Sequence, residues 1–175
     1  MAWLSPEEHT FIEESVALLC VEILIVDSLE HPSKVLLVKR AEEPALGQWF
    51  QPGGMIRKNE PARVAALRKA KEELGVEVTL GPFIGAYRSF FMPGHRNNPS
   101  GTDACSLVFM GTVAPSASSQ VDATSSAWAW KQFSDPEIAS FPKRFIVDSG
   151  LFPSLAPSSP AHMAQEGLLL FEKVA

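Results

Sequence analysis

The stretch from Gly47 to Val76, GQWFQPGGMIRKNEPARVAALRKAKEELGV, limits the choice of fold more than any other part of this chain. An extended piece over 48–51 runs into Pro52-Gly53-Gly54, where the absence of Cβ atoms lets backbone amides and carbonyls approach a ligand closely. A helix follows. Asn59 is its expected cap, Pro61 falls in its first turn, Val64, Leu67 and Leu74 stand among alanines, and Gly75 takes the left-handed closing position. The last two turns carry Arg68, Lys69, Glu72 and Glu73, and the i,i+3 and i,i+4 spacings put Lys69 beside both glutamates. Carboxylates next to bare backbone carbonyls suit a hard cation such as Mg²⁺, with Mn²⁺ possible, better than a softer metal. No Cys/His cluster has zinc spacing. On spacing alone, a solvated helix face laced with ion pairs is the favoured reading.

Strand and helix signals around this segment alternate as in an α/β domain. Ser5-Pro6-Glu7-Glu8 is a capping box opening a short helix to about Glu14. Val16 to Asp27 and Lys34 to Arg40 read as a long buried strand and its hairpin partner. Val76 to Met92 is strand-rich with a break near Gly81-Pro82, and 93–101 (PGHRNNPSG) is a polar turn-forming loop, expected to be mobile. Strands are expected at Asp103–Val113 and Ala127–Phe133, on either side of a Ser/Ala-rich connection. Helical pieces are expected at Pro136–Ala139 and Pro142–Asp148. Residues 1–150 thus form a single domain, followed by a Pro/Ser-rich extension, 151–175, with a terminal helix from Pro160.

Composition excludes several function classes. A net charge of −5 lacks the basic face that nucleic-acid binding needs. The apolar run Val16–Val26 is interrupted by Glu22 and too short to span a bilayer, and the N-terminus has no apolar leader. Cys20 and Cys105 sit in apolar runs as reduced core thiols. The expectation is a cytoplasmic protein that binds neither nucleic acid nor membrane.

The same segment resembles the Nudix box, G-x5-E-x7-R-E-U-x-E-E-x-G-U, matching from Gly54 through Glu60, Arg68, Glu72, Glu73, Gly75 and Val76. Lys69 stands where that pattern has a metal-binding glutamate, and Ala70 where it has a larger aliphatic. Lys39-Arg40, Glu43-Pro44-Ala45, Gly47 to Phe50, Phe83-x-Gly85-x-Tyr87 and Gly101-Thr102-Asp103 are similar to the GDP-mannose mannosyl hydrolase branch, which also lacks that glutamate. The likeness covers roughly residues 15 to 113. It implies an α/β/α sandwich with a mixed central sheet, the Glu60–Leu74 helix on one side and later helices on the other.

Roles follow from the resemblance. The carbonyl of Gly54 (or Gly53) and the carboxylate of Glu73 would coordinate Mg²⁺, with Glu72 as ligand or general base. Arg40 would stabilise charge on the leaving group, Glu60 and Arg68 would pair structurally, and Lys69, Tyr87 and Phe90 would meet the substrate. The branch's late-loop Gln-His pair has no counterpart at Ala123-Thr124-Ser125-Ser126, where Asp122 is the nearest acid. Among the four histidines, only His95 is placed to swing over a site.

Three functions fit. One is Mg²⁺-dependent hydrolysis of a nucleoside diphosphate sugar. Another is the same chemistry on a diphosphate with an apolar tail, lined by Phe83, Phe90, Phe91, Met92, Phe109 and Met110. The last is a diphosphate-binding module without turnover. Lys69 either points outward to pair with Glu73 or contacts the diphosphate itself. A homodimer is expected by analogy.

Overall fold

The computed structural model describes residues 4–114 and 120–175. Its centre is β1 (Leu18–Val26), a strand apolar at every position but Glu22 and covered on both faces from Cys20 onward. It pairs in parallel along its whole length with β6 (Thr102–Val113). Its other edge is shared, antiparallel, by β4 (Gly53–Met55) at residues 20–22 and by β2 (Lys34–Arg40) at residues 25–26. The short β3 (Trp49–Phe50) and β7 (Ser125–Gln132) both pair with β2, and β5 (Val78–Phe91) pairs with β6. One parallel pair among antiparallel ones makes the sheet mixed.

Alternation along β1 builds two cores. Val21, Ile23 and Ile25 meet α2 (Ala62–Leu74) through Ala65, Ala66, Ala70 and Leu74, whose small side chains bring the helix close to the sheet. Leu24 and Val26 face the other way, toward Ile138 and the Ile146 of α3 (Ser140–Asp148). Helices on both faces give the α/β/α sandwich expected from the sequence. Val64 and Leu67 lie on the outer side of α2 and are exposed.

Several local expectations are corrected. Asn59 does not cap α2; it turns the chain at φ 64°, and Pro61 occupies the cap without a side-chain hydrogen bond. Gly81-Pro82 does not break β5 but shifts its register between Leu80 and Gly85. Residues 136–139 form turns and a single bridge from Ile138 to Trp49 rather than a helix. Within the Ser/Ala-rich connection, 115–119 lies outside the described residues.

The 93–101 loop is pinned down. Glu13, buried on α1 (Pro6–Ser15), accepts hydrogen bonds from the His95 backbone, Asn98 Nδ2 and Thr102 Oγ1. The expected capping box of α1 forms between Ser5 and Glu8.

The C-terminal segment departs most from expectation. The helix starting at Pro160, α4 (Pro160–Gln165), has only six residues, and after a turn at Gly167 the chain becomes β8 (Leu168–Lys173), an edge strand on β5. Phe171 of β8 packs on Tyr87, Phe141 and Phe145. Glu166 Oε2 accepts from Ser140 N at 2.8 Å and so supplies the cap that the α3 start lacks.

Candidate active site

A cavity of about 550 Å³ opens where β1, β4, β6, α2 and the end of β2 meet. Its lining includes Arg40, Gly53, Gly54, Lys69, Glu72 and Glu73, residues from three elements. Local structure explains their meeting. The β1–β4 pairing sets Gly53 opposite Glu22 so closely that a Cβ on Gly53 would collide with the Glu22 carboxylate and the Val21 carbonyl. Gly54 has φ +142°, a conformation that L side chains rarely adopt.

Glu73 is buried near the C-terminal end of α2, and its Oε2 accepts from Gly53 N at 3.3 Å. Burial pushes its carboxyl up. Lys69 pairs with Glu73, its Nζ 2.7 Å from Glu73 Oε1 and 3.8 Å from Glu72 Oε2, and it does so in the cavity lining rather than facing outward. Burial pulls the Lys69 ammonium down, but Glu73, Glu72 and Asp122 outweigh it and the net direction is up.

Glu72 is engaged elsewhere. It pairs with Arg68 at 2.9 Å and Arg57 at 3.2 Å at the half-exposed rim. Arg68 also reaches Glu60 with Nε and Nη2, each at 2.7 Å, and donates to the Met55 carbonyl. These bonds hold the Glu60 carboxyl down at about 2 and close the β4–α2 loop onto its helix, as the resemblance implied for this pair. Arg40 lies over the Phe50 ring and donates to the Pro44 and Glu43 carbonyls, which fixes its guanidinium at the cavity wall.

Two expected ligand contacts lie elsewhere. Tyr87 is fully buried, gives its hydroxyl proton to Asp148 Oδ2 at 3.0 Å, and packs in the aromatic core with Phe145. Phe90 packs toward Gly101. Its strand neighbours Ser89 and Phe91, on the opposite face, line the cavity instead. Of the six Phe and Met residues around the 93–101 loop, only Phe91 is in the lining; Phe83 and Met92 are largely exposed, and Phe109 and Met110 belong to the two sheet cores.

Of the other residues in the cavity, sequence points to His95 and Asp122 but not to Glu22, Gln51, Ser89 or His9. Glu22 receives hydrogen bonds from Gln51 Nε2 at 2.6 Å and Ser106 Oγ at 3.2 Å, and burial pushes its carboxyl up to about 8. The available signal was an acid inside an otherwise apolar buried strand. Gln51 Oε1 and Ser89 Oγ are buried without a hydrogen-bond partner. His9 lines the far end with His95, their ring centroids 4.6 Å apart; burial, then the nearness of His9, lowers the His95 imidazole. Asp122 is held in the lining because the late loop docks on the end of α2, Gln120 N on the Leu74 carbonyl and Asp122 N on the Glu73 carbonyl.

The donors can be tested against a hard cation. Among the described residues, no three His, Cys, Asp or Glu side chains converge as a metal cage. The cavity lining instead offers Glu73, Glu22, the unpartnered Gln51 Oε1 and a carbonyl of the Gly53–Gly54 backbone, an all-oxygen set. One or two carboxylates completed by ligand phosphates are what Mg²⁺ accepts, so the residues fit it.

Residues 19–148 match the NUDIX domain. This chain belongs to the NUDIX family. Over 85 residues it is 41% identical to the low-salt glycan biosynthesis protein Agl8 of Haloferax volcanii, covering 49% of this chain and 52% of that one. Over 61 residues it is 34% identical to the ADP-ribose pyrophosphatase of Methanocaldococcus jannaschii, covering 35% of this chain and 36% of that one. The chain therefore spans about half or less of the curated relatives it matches. The MutT NUDIX hydrolase from Burkholderia pseudomallei superposes with TM-score 0.62 at 21% identity, over 77% of this chain and 98% of that one. The NUDIX domain of Shewanella oneidensis NrtR, crystallised with ADP ribose, superposes at 0.55 and 20% identity, over 85% and 92%. These two likenesses show the fold. No helix among the described residues is long and apolar enough to cross a membrane.

Proposed function

We propose that this NUDIX chain is a divalent-metal-dependent hydrolase of a nucleoside diphosphate sugar or a closely related diphosphate. The observation that carries the reading is the convergence of Arg40, Lys69, Glu72, Glu73 and the Gly53–Gly54 backbone on one cavity. Glu73 and Glu22, with Gln51 Oε1 and a glycine carbonyl, would hold Mg²⁺ or Mn²⁺. Such an ion neutralises diphosphate charge. Arg40, already oriented by the Glu43 and Pro44 carbonyls, stabilises negative charge on the departing nucleoside diphosphate.

A carboxylate must take the proton of the attacking water. Glu72 is committed to two arginines, whereas Asp122 has one oxygen oriented by Thr124 N at 2.9 Å and Thr124 Oγ1 at 2.6 Å, and it lines the cavity. Asp122 is therefore the base in this reading, at the sugar C–O bond. A polar far end, with Ser89, Thr102, His9 and His95, supports a sugar over an apolar tail, for which only Phe91 of the expected aromatic and Met lining is present. The glycan-biosynthesis name of the Haloferax relative agrees with a sugar nucleotide.

Phosphorus NMR with Mg²⁺ and a panel of GDP-mannose, ADP-ribose, a nucleoside triphosphate and a prenyl diphosphate tests this, with Glu73→Gln as control. Turnover of the sugar nucleotide by the wild type and not by the control is expected, and the product identifies the broken bond. A ligand resonance that shifts or broadens while no product forms would replace this reading with that of a binding module.

A further inference from the structure

Lys69 is the one lysine lining the described cavity, and its position is built into the fold. Its stem runs against Gly54, where a Cβ would stand 2.9 Å from Lys69 Cε. A glycine at that place makes room for the lysine as well as for the left-handed backbone. The side chain is 19% exposed, which removes most of an ammonium's hydration and is costly unless other groups replace it. Glu73 Oε1 replaces one water at 2.7 Å. Glu72 Oε2, at 3.8 Å, contributes charge but is beyond hydrogen-bond range. An ammonium has three donors, so one of the three is met by Glu73.

The surrounding charges give the unused donors a purpose. Acids Glu22, Glu42, Glu72, Glu73 and Asp122 line the same cavity. An anionic ligand entering among them needs a cation close to its phosphates. Arg40 is tied to loop carbonyls, and Arg57 and Arg68 are paired at the rim with Glu72, whereas Lys69 stands inside with donors to spare.

We propose that Lys69 is a ligand-binding group: its ammonium bridges Glu73 to the diphosphate, a position that would otherwise need a soluble cation, so the ligand is held by Lys69 together with a single divalent ion. This rests on the diphosphate reading of the cavity. The lysine carries one positive charge that is always present and does not depend on metal concentration. A carboxylate in its place would create the need for another divalent ion.

The test counts Mn²⁺ by electron paramagnetic resonance in the complex of the full chain with α,β-methylene-ADP or α,β-methylene-GDP, and measures nucleotide affinity by calorimetry in the same buffer. Wild type is expected to bind one Mn²⁺ per chain in the complex, and Lys69→Glu two. Lys69→Met keeps one, with nucleotide affinity at least 10-fold weaker. Two ions in the wild-type complex overturn the proposal, and that count needs no variant to fold. A folded Lys69→Met protein that binds nucleotide as tightly as wild type also overturns it, by reducing Lys69 to a partner of Glu73. If neither nucleotide binds wild type at millimolar concentration, the diphosphate reading itself fails, an outcome distinct from an excess of metal.

Discussion

Gln51 Nε2 donates a 2.6 Å hydrogen bond to Glu22 Oε2, tying the single acid of β1 to the residue just before Pro52-Gly53-Gly54. The bond helps hold β4 against β1, but it leaves a carboxyl in a place that favours its neutral form. Its proton affinity rises from the ordinary 4.5 to about 8 on folding, so the native state binds more protons than the unfolded chain between those values. Stability contributed by this group falls as pH climbs through that window and is level outside it. In metal-free buffer, Glu22→Gln should match wild type near pH 4.5 and become the more stable protein by pH 9. The gap should reach several degrees in Tm, at roughly 2–4 °C per kcal/mol for a chain of this size. Parallel Tm profiles across the range would rule out a buried ionisation at Glu22.

Glu60 has the opposite sign. Two hydrogen bonds from Arg68 hold its carboxyl at about 2, so its contribution is complete above pH 4.5 and is lost as pH falls toward 2. Glu60→Gln should cost on the order of 3 kcal/mol at pH 7, because it leaves the largely buried Arg68 with a weaker partner. The difference from wild type, read from urea midpoints, should narrow steadily below pH 4.5. A difference that stays constant down to pH 2.5 would contradict an ionic role.

The elements that sequence made legible are those fixed by local chemistry. The Ser5/Glu8 box, the Gly75 closure at φ 68° and the buried β1 depend on neighbouring residues, and all appear in the fold. The site was legible where one element carries the spacing, as in Lys69, Glu72 and Glu73. It was not legible where partners come from afar. Glu22 meets Gln51 and Ser106 across the sheet, and Asp122 enters only because a late loop docks on α2. Strand parity put Ser89 and Phe91 rather than Phe90 into the cavity, a one-residue distinction that register decides. Leu168–Phe171 has high helix propensity and becomes a strand because the β5 edge is there to pair with.

That last element carries its own prediction. Phe171 joins β8 to the aromatic core of Tyr87, Phe141 and Phe145. Phe171→Ala should destabilise the protein by about 2 kcal/mol or more, and deleting residues 168–175 should also bare the β5 edge and promote aggregation. Urea unfolding and light scattering would show both effects. A Phe171→Ala cost below about 0.5 kcal/mol would make the segment a loosely attached tail.

Ser89 tests the far end of the cavity. The residue is 1% exposed and its buried hydroxyl has no hydrogen-bond partner, a state that costs about 1–3 kcal/mol unless a ligand hydroxyl or water fills it. Ser89→Ala should raise KM for a sugar nucleotide about 2- to 10-fold with kcat nearly unchanged, while the Ki of the nucleoside diphosphate as inhibitor stays the same. Equal weakening of both ligands would take Ser89 out of sugar recognition.

Asp122 is the prediction on which the chemistry turns. Its backbone amide is fixed to the Glu73 carbonyl at 3.2 Å, and Thr124 holds one of its oxygens, so Asp122→Asn can keep the loop geometry while removing the proton acceptor. General-base catalysis by a positioned carboxylate contributes typically 10²–10⁴-fold. The variant should therefore lose at least about 100-fold in kcat, keep KM within a few-fold and bind Mn²⁺ as tightly as wild type. If kcat stays within about 3-fold, water is activated elsewhere. Glu72, once released from Arg57 and Arg68 at the rim, and Glu42 in the same lining would then be the acids to examine.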